Sequence, residues 1–130
     1  MDYVNYLVKA LDSAGQMSGA ATSLAKSYFD MRSDNTIGND DYFHCVGNFN
    51  AARQGDVGSK TAEVLGDTKE MKDYYHNQIV KGFSQPKAYR DYLWDKGINQ
   101  ISRQRAKNDL YLDHKDACDI FRVRGINEKY

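Results

Sequence analysis

Few residues in this chain could do chemistry: it has 130 residues with three histidines and two cysteines. His114 and Cys118 would share one face of a helix, a spacing that suits two ligands of a metal site. His44 and Cys45 are neighbours that point in different directions, and His76 stands apart from the others. Because no further paired ligands accompany His114 and Cys118, we predict no metal site and no cofactor.

Catalysis has one candidate, His44, which could act as a general base beside Asp40, Asp41 and Asn48 at helical spacings. A histidine in such surroundings more often makes a structural hydrogen bond. The sequence has no phosphate-binding loop, no Gly-x-Ser-x-Gly elbow and no zincin motif. We therefore predict no catalytic residue and a non-enzymatic protein.

Two cysteines are too few for a disulfide scaffold. Cys45 and Cys118 could form one long-range disulfide in an oxidising compartment, or they could stay buried and reduced, as helix-borne cysteines more commonly do. The sequence shows neither a signal peptide nor an apolar run long enough to span a membrane. The expected location is therefore cytoplasmic, or outside the cell by a non-classical route.

The charge balance argues against nucleic acid as a partner. Lysine plus arginine and aspartate plus glutamate number 18 each, whereas a general nucleic-acid binder has a basic excess. One segment, about residues 85–107, is nevertheless locally basic and aromatic. Its candidate binding residues are Tyr89, Tyr92, Trp94, Lys96, Arg103 and Arg105. This face could lie on an anionic surface, or it could simply be solvated or paired with the acidic start of the preceding helical region.

Hydrophobic periodicity predicts an all-α protein with a single domain over residues 1–130. Helices are expected at about 3–31, 40–53, 59–81 and 85–107, followed by a C-terminal segment 109–130 with a short helix near 113–121. Asn39, Ser59 and Ser84 are the expected N-caps. Gly15 and Gly19 lie one turn apart in the first helix, which indicates either close approach of another helix or a kink.

The region from Tyr28 to Gly55 resembles the signature region of the serum amyloid A family. The matching runs are Tyr28-Phe29-Asp30-Met31-Arg32, Ile37-Gly38-Asn39-Asp40-Asp41-Tyr42-Phe43-His44 and Gly47-Asn48-Phe49-Asn50-Ala51-Ala52-Arg53-Gln54-Gly55. The similarity continues weakly to Glu70, and the chain ends Glu128-Lys129-Tyr130, as members of that family do.

The resemblance implies an antiparallel four-helix bundle with an irregular C-terminal tail packed across it. It also implies a small non-enzymatic protein that self-associates and binds lipoprotein surfaces, apolar small molecules such as retinol, or polyanions. Within the motif we expect structural roles for Arg32, Gly38, Asp40, Tyr42, Phe43, His44, Gly47, Asn48 and Gly55. In particular, Arg32 should meet its own helix end or the acidic start of the second helix, and Gly47 should permit close helix approach.

Some features depart from the family pattern: a less aromatic first helix, Ser59-Lys60-Thr61 in place of a large aromatic residue, and the two cysteines. They suggest a distant, bacterial relative. The leading hypothesis is a self-associating binding module for an apolar small molecule, a lipid surface or a protein partner. The alternative is a microbial exported effector or toxin domain, or the cognate partner of one.

Overall fold

A computed structural model describes residues 2–130 of the chain. Its helices are α1 (Tyr3–Asp34), α2 (Asp40–Ala52), α3 (Asp56–Ile79), α4 (Gln85–Asn108) and α5 (His114–Cys118), the last continued by a 3-10 turn over Asp119–Phe121. No strand occurs within residues 2–130. The prediction of an all-α fold is confirmed.

Local signals explain most helix ends, and two of the expected caps differ. The Ser84 hydroxyl accepts from the backbone N–H of Lys87 and caps α4 as predicted. Helix α3 starts earlier than expected, because Gly55 adopts a φ of 129° directly before it and leaves Ser59 buried inside the helix. Asn39 precedes α2 but does not cap it, because its side-chain nitrogen donates to the Met31 carbonyl of α1.

Successive helices run antiparallel and form a bundle. Gln16 of α1 contacts the N-terminal turn of α3, where its side-chain oxygen accepts from the Gly58 N–H, so α1 and α3 are parallel neighbours. Helix α4 lies along α2 and α3, and α1 packs against the same two helices from another side. The first three turns of α1 extend past these contacts and are exposed.

Aromatic residues of α2 form the centre of the core, as the motif predicted. Tyr42, Phe43 and Phe49 are buried together with both cysteines. Cys45 of α2 and Cys118 of α5 form a disulfide, with their Cα atoms 5.7 Å apart. Of the two states left open by the sequence, the structure therefore has the paired one, and the bond fixes the C-terminal segment to α2.

Small residues let α1 approach its neighbours closely, although the prediction for Gly15 and Gly19 does not hold at both positions. A Cβ on Gly47 would lie 2.9 Å from the Ser27 Cβ, so the α1–α2 crossing needs the glycine. A Cβ on Gly19 would meet only the end of the Gln54 side chain, while Gly15 has no neighbour within 4 Å. Helix α1 is continuous through Gly15, so the chain does not break there.

The C-terminal tail packs on the bundle, as the family resemblance implied. The Arg122 guanidinium donates to the Tyr42 hydroxyl at 2.9 Å and to the carbonyls of Tyr130, Ile126 and Asn127 at 3.0–3.2 Å. Tyr130 packs edge-on against Phe43 with ring centroids 5.3 Å apart. The Arg122 guanidinium thus donates to backbone carbonyls of an irregular segment, which lacks the regular backbone hydrogen bonds of a helix or strand.

Candidate functional site

A cleft of about 640 Å³ lies between α1, α2 and α3. Its apolar lining comes mainly from the C-terminal half of α1. The apolar lining residues are Leu24, Ala25, Tyr28, Met31, Phe43 and Leu65. Its volume falls within the range of small-molecule sites, which combine an apolar lining with a few polar groups.

The polar lining of the cleft comes from α3 and from the bundle interior. Lys69, Lys72 and Asp73 lie on the α3 side, and the Lys69 ammonium donates to the Asp73 carboxylate at 2.8 Å. Burial works to lower the pKa of Lys69, but the bond to Asp73 and the nearby Glu70 carboxylate raise it above its usual value. The cleft therefore offers a permanent cation and carboxylates next to its apolar wall.

A chain of buried polar side chains crosses the bundle behind the cleft. Arg103 of α4 donates to the Asn48 side-chain oxygen at 2.9 Å, and Asn48 donates to the Asn99 oxygen at 3.0 Å. Asn99 in turn donates to a Glu70 carboxylate oxygen at 3.5 Å. Four side chains from three helices are thereby joined inside the core.

At the far end of this chain, three titratable groups converge. His44 of α2, Glu70 of α3 and Asp95 of α4 each offer a side-chain N or O atom, and these atoms all lie within 4.8 Å of one another. Glu70 is 2% exposed. Its Oε2 atom and the Nδ1 atom of His44 are buried without a hydrogen-bond partner in the described part of the chain.

The close approach of these three side chains shifts the pKa values of Asp95 and His44. Burial, reinforced by the neighbouring Glu70 carboxylate, raises the pKa of Asp95 to about 8. Burial lowers the pKa of His44, and the nearby Lys69 charge acts in the same direction. At neutral pH, His44 is therefore neutral, a state in which an imidazole can bind a metal ion.

The six candidate binding residues of the basic segment do not form one surface. Tyr89 and Tyr92 stack at a centroid distance of 6.3 Å, with the Lys96 ammonium 5.6 Å from the Tyr92 ring centroid. Trp94 is 59% exposed, and its indole N–H donates to Asp41 of α2 at 3.0 Å. Three of the six predicted binding residues are therefore aromatic side chains that solvent can reach.

The two arginines of that set face inward instead. Arg103 is 8% exposed and belongs to the polar chain described above. Arg105 is half-buried and donates to the Ala117 carbonyl of α5. The prediction grouped them with the tyrosines because the segment is locally basic and aromatic, whereas α2 and α5 pack against α4 and contact them.

The remaining motif residues have structural surroundings. Arg32 lies in the last turn of α1, where its charge suits the helix dipole as predicted, and its guanidinium donates to the Tyr28 hydroxyl at 3.2 Å. Gly38 turns the α1–α2 loop at a φ of 77°. Asp40 is exposed in the first turn of α2, where its charge suits the helix dipole.

Sequence reasoning missed Glu70 and Asp95. No motif connects them to His44, since the three lie on different helices, and only the fold brings them together. Glu70 falls at the end of the family-like region, which was the one available hint. Asp95 looked like any other acidic residue within a basic helix.

The chain is similar in sequence to proteins of one known family. The model of the family described as "Serum amyloid A protein" matches residues 11–130. The chain belongs to the serum amyloid A family.

Individual relatives support the same assignment. The human serum amyloid A-1 protein is 43% identical over 116 residues, which is 89% of this chain and 80% of the relative. A horse serum amyloid A protein is 29% identical over 120 residues, 92% of this chain and 99% of the relative. A bovine one is 30% identical over 116 residues, 89% of this chain and 82% of the relative.

These matches correct one expectation. The idea of a distant, bacterial relative is not borne out, since mammalian proteins match most of the chain at up to 43% identity among those three. The family model matches across both cysteines and the residues after Gly58. The effector or toxin hypothesis rested on that microbial origin and loses its support.

Within residues 2–130, none of the helices is both long and apolar enough to cross a membrane.

Proposed function

We propose that this protein is a non-enzymatic binding module that takes an amphipathic, largely apolar small molecule into the cleft between α1, α2 and α3. The observation that carries the proposal is the composition of the cleft: an apolar wall from α1 stands beside Lys69 and Lys72 of α3. A carboxylate-headed hydrocarbon chain matches both parts, because its tail would cover Leu24 and Leu65 while its head group meets an ammonium.

A fluorescent fatty acid tests this proposal directly. Ala25 lines the cleft yet is itself exposed, so Ala25→Trp should block the cleft without disturbing the core. Ala21, one turn earlier on α1, is also exposed and lies outside the cleft lining, which makes Ala21→Trp the matched control. We expect Ala25→Trp to weaken binding of the probe at least tenfold and Ala21→Trp to leave it unchanged. Equal binding by both variants would contradict the proposal.

We also propose that the protein self-associates through the exposed part of α1. Val4, Val8 and Leu11 form one apolar stripe and are 58–72% exposed. Gly15 continues the stripe and has open space around it, which suits the close approach of a second helix. The proposed occupant is the same stripe of a second copy, because pairing would remove both apolar faces from water.

The disulfide supports an oxidising location for the protein. A buried disulfide between α2 and α5 forms and persists outside the reducing cytosol. We therefore propose that the chain works after export, which is one of the two locations left open by the sequence. Mass spectrometry of the native protein after thiol alkylation should then find neither cysteine labelled.

A further inference from the structure

We propose that His44, Glu70 and Asp95 form a binding site for a divalent transition-metal ion, with Zn²⁺ as the fitting probe. The proposal rests on three converging observations: the mutual distances of at most 4.8 Å, the 2% exposure of Glu70, and two buried ligand atoms without partners. It is independent of the cleft ligand proposed above.

The donor set indicates the class of metal. One imidazole nitrogen and two carboxylates suit zinc and neighbouring transition metals, whereas calcium and magnesium prefer oxygen ligands alone. Both cysteines are held in the disulfide, so no thiolate competes for the ion. Three protein ligands leave a fourth position that water can reach through the cleft, since His44 and Glu70 also line that cleft.

The distances need only a small adjustment to accept a metal ion. Two ligand atoms on one tetrahedral zinc ion, each about 2.1 Å from it, lie about 3.4 Å apart. The ligand atoms of the cluster are at most 4.8 Å apart, so side-chain movements of about 1 Å bring them to the separation that zinc requires. The three groups sit on three packed helices, which hold the backbone positions fixed.

The surroundings favour a cation. Asp40 and Asp41 act electrostatically on His44, and Asp41 acts on Asp95. The opposing charge is Lys69, whose ammonium is occupied by its bond to Asp73. Asn99 holds the other Glu70 oxygen at 3.5 Å, as a residue behind a metal ligand does.

A simpler reading gives these residues a purely structural role. Glu70 and Asp95 lie close enough to share a proton, which would explain the raised pKa of Asp95 without any metal. The two readings differ in what Glu70→Gln does. The amide can still donate a hydrogen bond to the Asp95 carboxylate, so the contact between the two side chains is kept. It removes a charged ligand, however, and so abolishes a metal site.

The test is calorimetric titration of the disulfide-intact full chain with Zn²⁺, together with the visible absorption of Co²⁺ bound in its place. We expect one Zn²⁺ per chain and a Co²⁺ spectrum of tetrahedral or five-coordinate type. Glu70→Gln, His44→Gln and Asp95→Asn should each weaken Zn²⁺ binding at least tenfold. Circular dichroism establishes that each variant is folded, and Asp95→Asn, at a half-buried position, is the variant least exposed to folding defects.

Matched controls separate this site from surface binding. His76→Gln removes an exposed histidine of α3, and Glu63→Gln removes a carboxylate of the same helix that lies outside both the cluster and the cleft. Both should bind Zn²⁺ as the unaltered protein does. The proposal is overturned if the unaltered chain takes up no Zn²⁺ at millimolar concentration, or if the cluster variants bind as tightly as the two controls. The fatty-acid test is run in the presence of a chelator, which keeps the metal site empty. The result for the cleft therefore does not depend on the result for the metal site.

Discussion

Asn48 and Asn99 face each other across the interior of the bundle, with the Asn48 side-chain nitrogen donating to the Asn99 oxygen at 3.0 Å. The same Asn48 accepts from Arg103 at 2.9 Å through its other side-chain atom. One amide therefore satisfies a buried guanidinium and a second buried amide, using its donor and acceptor in fixed directions. This arrangement fixes the register of α2 against α4.

Replacing that amide should destabilise the fold strongly. In Asn48→Ala, the buried Arg103 loses its oxygen partner and Asn99 loses its donor, so we expect a loss of about 2–4 kcal/mol in the free energy of unfolding. Urea unfolding followed by circular dichroism measures it. Asn50→Ala, on the same helix outside this network, should cost less than about 1 kcal/mol. Similar losses for both variants would show that the network adds nothing.

Docking of the C-terminal tail should depend on Arg122, in addition to apolar contacts such as that of Ile126. Arg122→Ala leaves several carbonyls of residues 126–130 and the Tyr42 hydroxyl without a donor. We expect the amides of residues 123–130 to exchange with solvent at least tenfold faster, while those of α2 keep their protection. Hydrogen exchange with mass spectrometry resolves the two regions. Arg124→Ala, at an exposed position in the same tail, should leave both unchanged.

The helices were predictable from sequence because each carries a continuous apolar stripe and recognisable end signals. Ser84 and Gly55 are such signals, and both act in the structure as local chemistry requires. Asn39 shows the limit: the same side chain suits a cap or a tertiary bond, and its contact with α1 decided the outcome. Local propensity cannot anticipate a partner that arrives from another helix.

The site was much less predictable than the fold. Arg103 and Arg105 were placed on a binding face because basic residues are usually solvated, yet both are enclosed by neighbouring helices. Glu70 and Asp95 carry no sequence signal of their own, since their chemistry arises from being close together. Their proximity depends on the axial register of α3 against α4. The hydrophobic pattern of a single helix does not determine that register.

The disulfide should account for a large share of the stability. The disulfide joins Cys45 and Cys118, which are 73 residues apart in the sequence. Because a cross-link over such a loop restricts the unfolded chain, it is expected to stabilise the fold by about 4 kcal/mol. Guanidinium unfolding with and without dithiothreitol measures the difference. In the double variant Cys45→Ala, Cys118→Ala, the reductant should have no effect. A reductant effect of similar size in the double variant would mean that another process is being measured.

His114 should weaken the fold on acidification below the ordinary pKa of histidine. Burial lowers the pKa of His114 in the folded chain, as it does for His44, and at His114 the charges of Lys115, Lys26 and Arg122 act in the same direction against Asp113. At these histidines the unfolded chain binds more protons than the folded one below about pH 6.5, which favours unfolding. Asp95 acts in the opposite direction, because its raised pKa makes the folded chain bind the extra proton. The stabilising hydrogen bonds that lower the pKa of Asp113 are lost only below about pH 4.

Urea midpoints between pH 7.5 and 5 test this dependence. Between about pH 6.5 and 5, the midpoint of His114→Gln should fall less, or rise more, than that of the unaltered chain, because its contribution to proton uptake on unfolding is gone. His76→Gln, on the exposed side of α3, is the matched control and should follow the unaltered curve. If the curve of His114→Gln coincides with that of the unaltered chain, His114 is not responsible for the acid sensitivity.

Self-association should depend on the apolar stripe of α1. Leu11 is 72% exposed at the centre of the free part of the helix, so Leu11→Lys removes apolar contact area and places a like charge beside its counterpart in a second copy. We expect the sedimentation coefficient to shift from an oligomer to a monomer at micromolar concentration, with helical content unchanged. Leu110→Lys makes the same substitution at a residue that is 74% exposed in the tail. It should leave the oligomer intact, and loss of the oligomer in this variant as well would assign the effect to added charge rather than to the stripe.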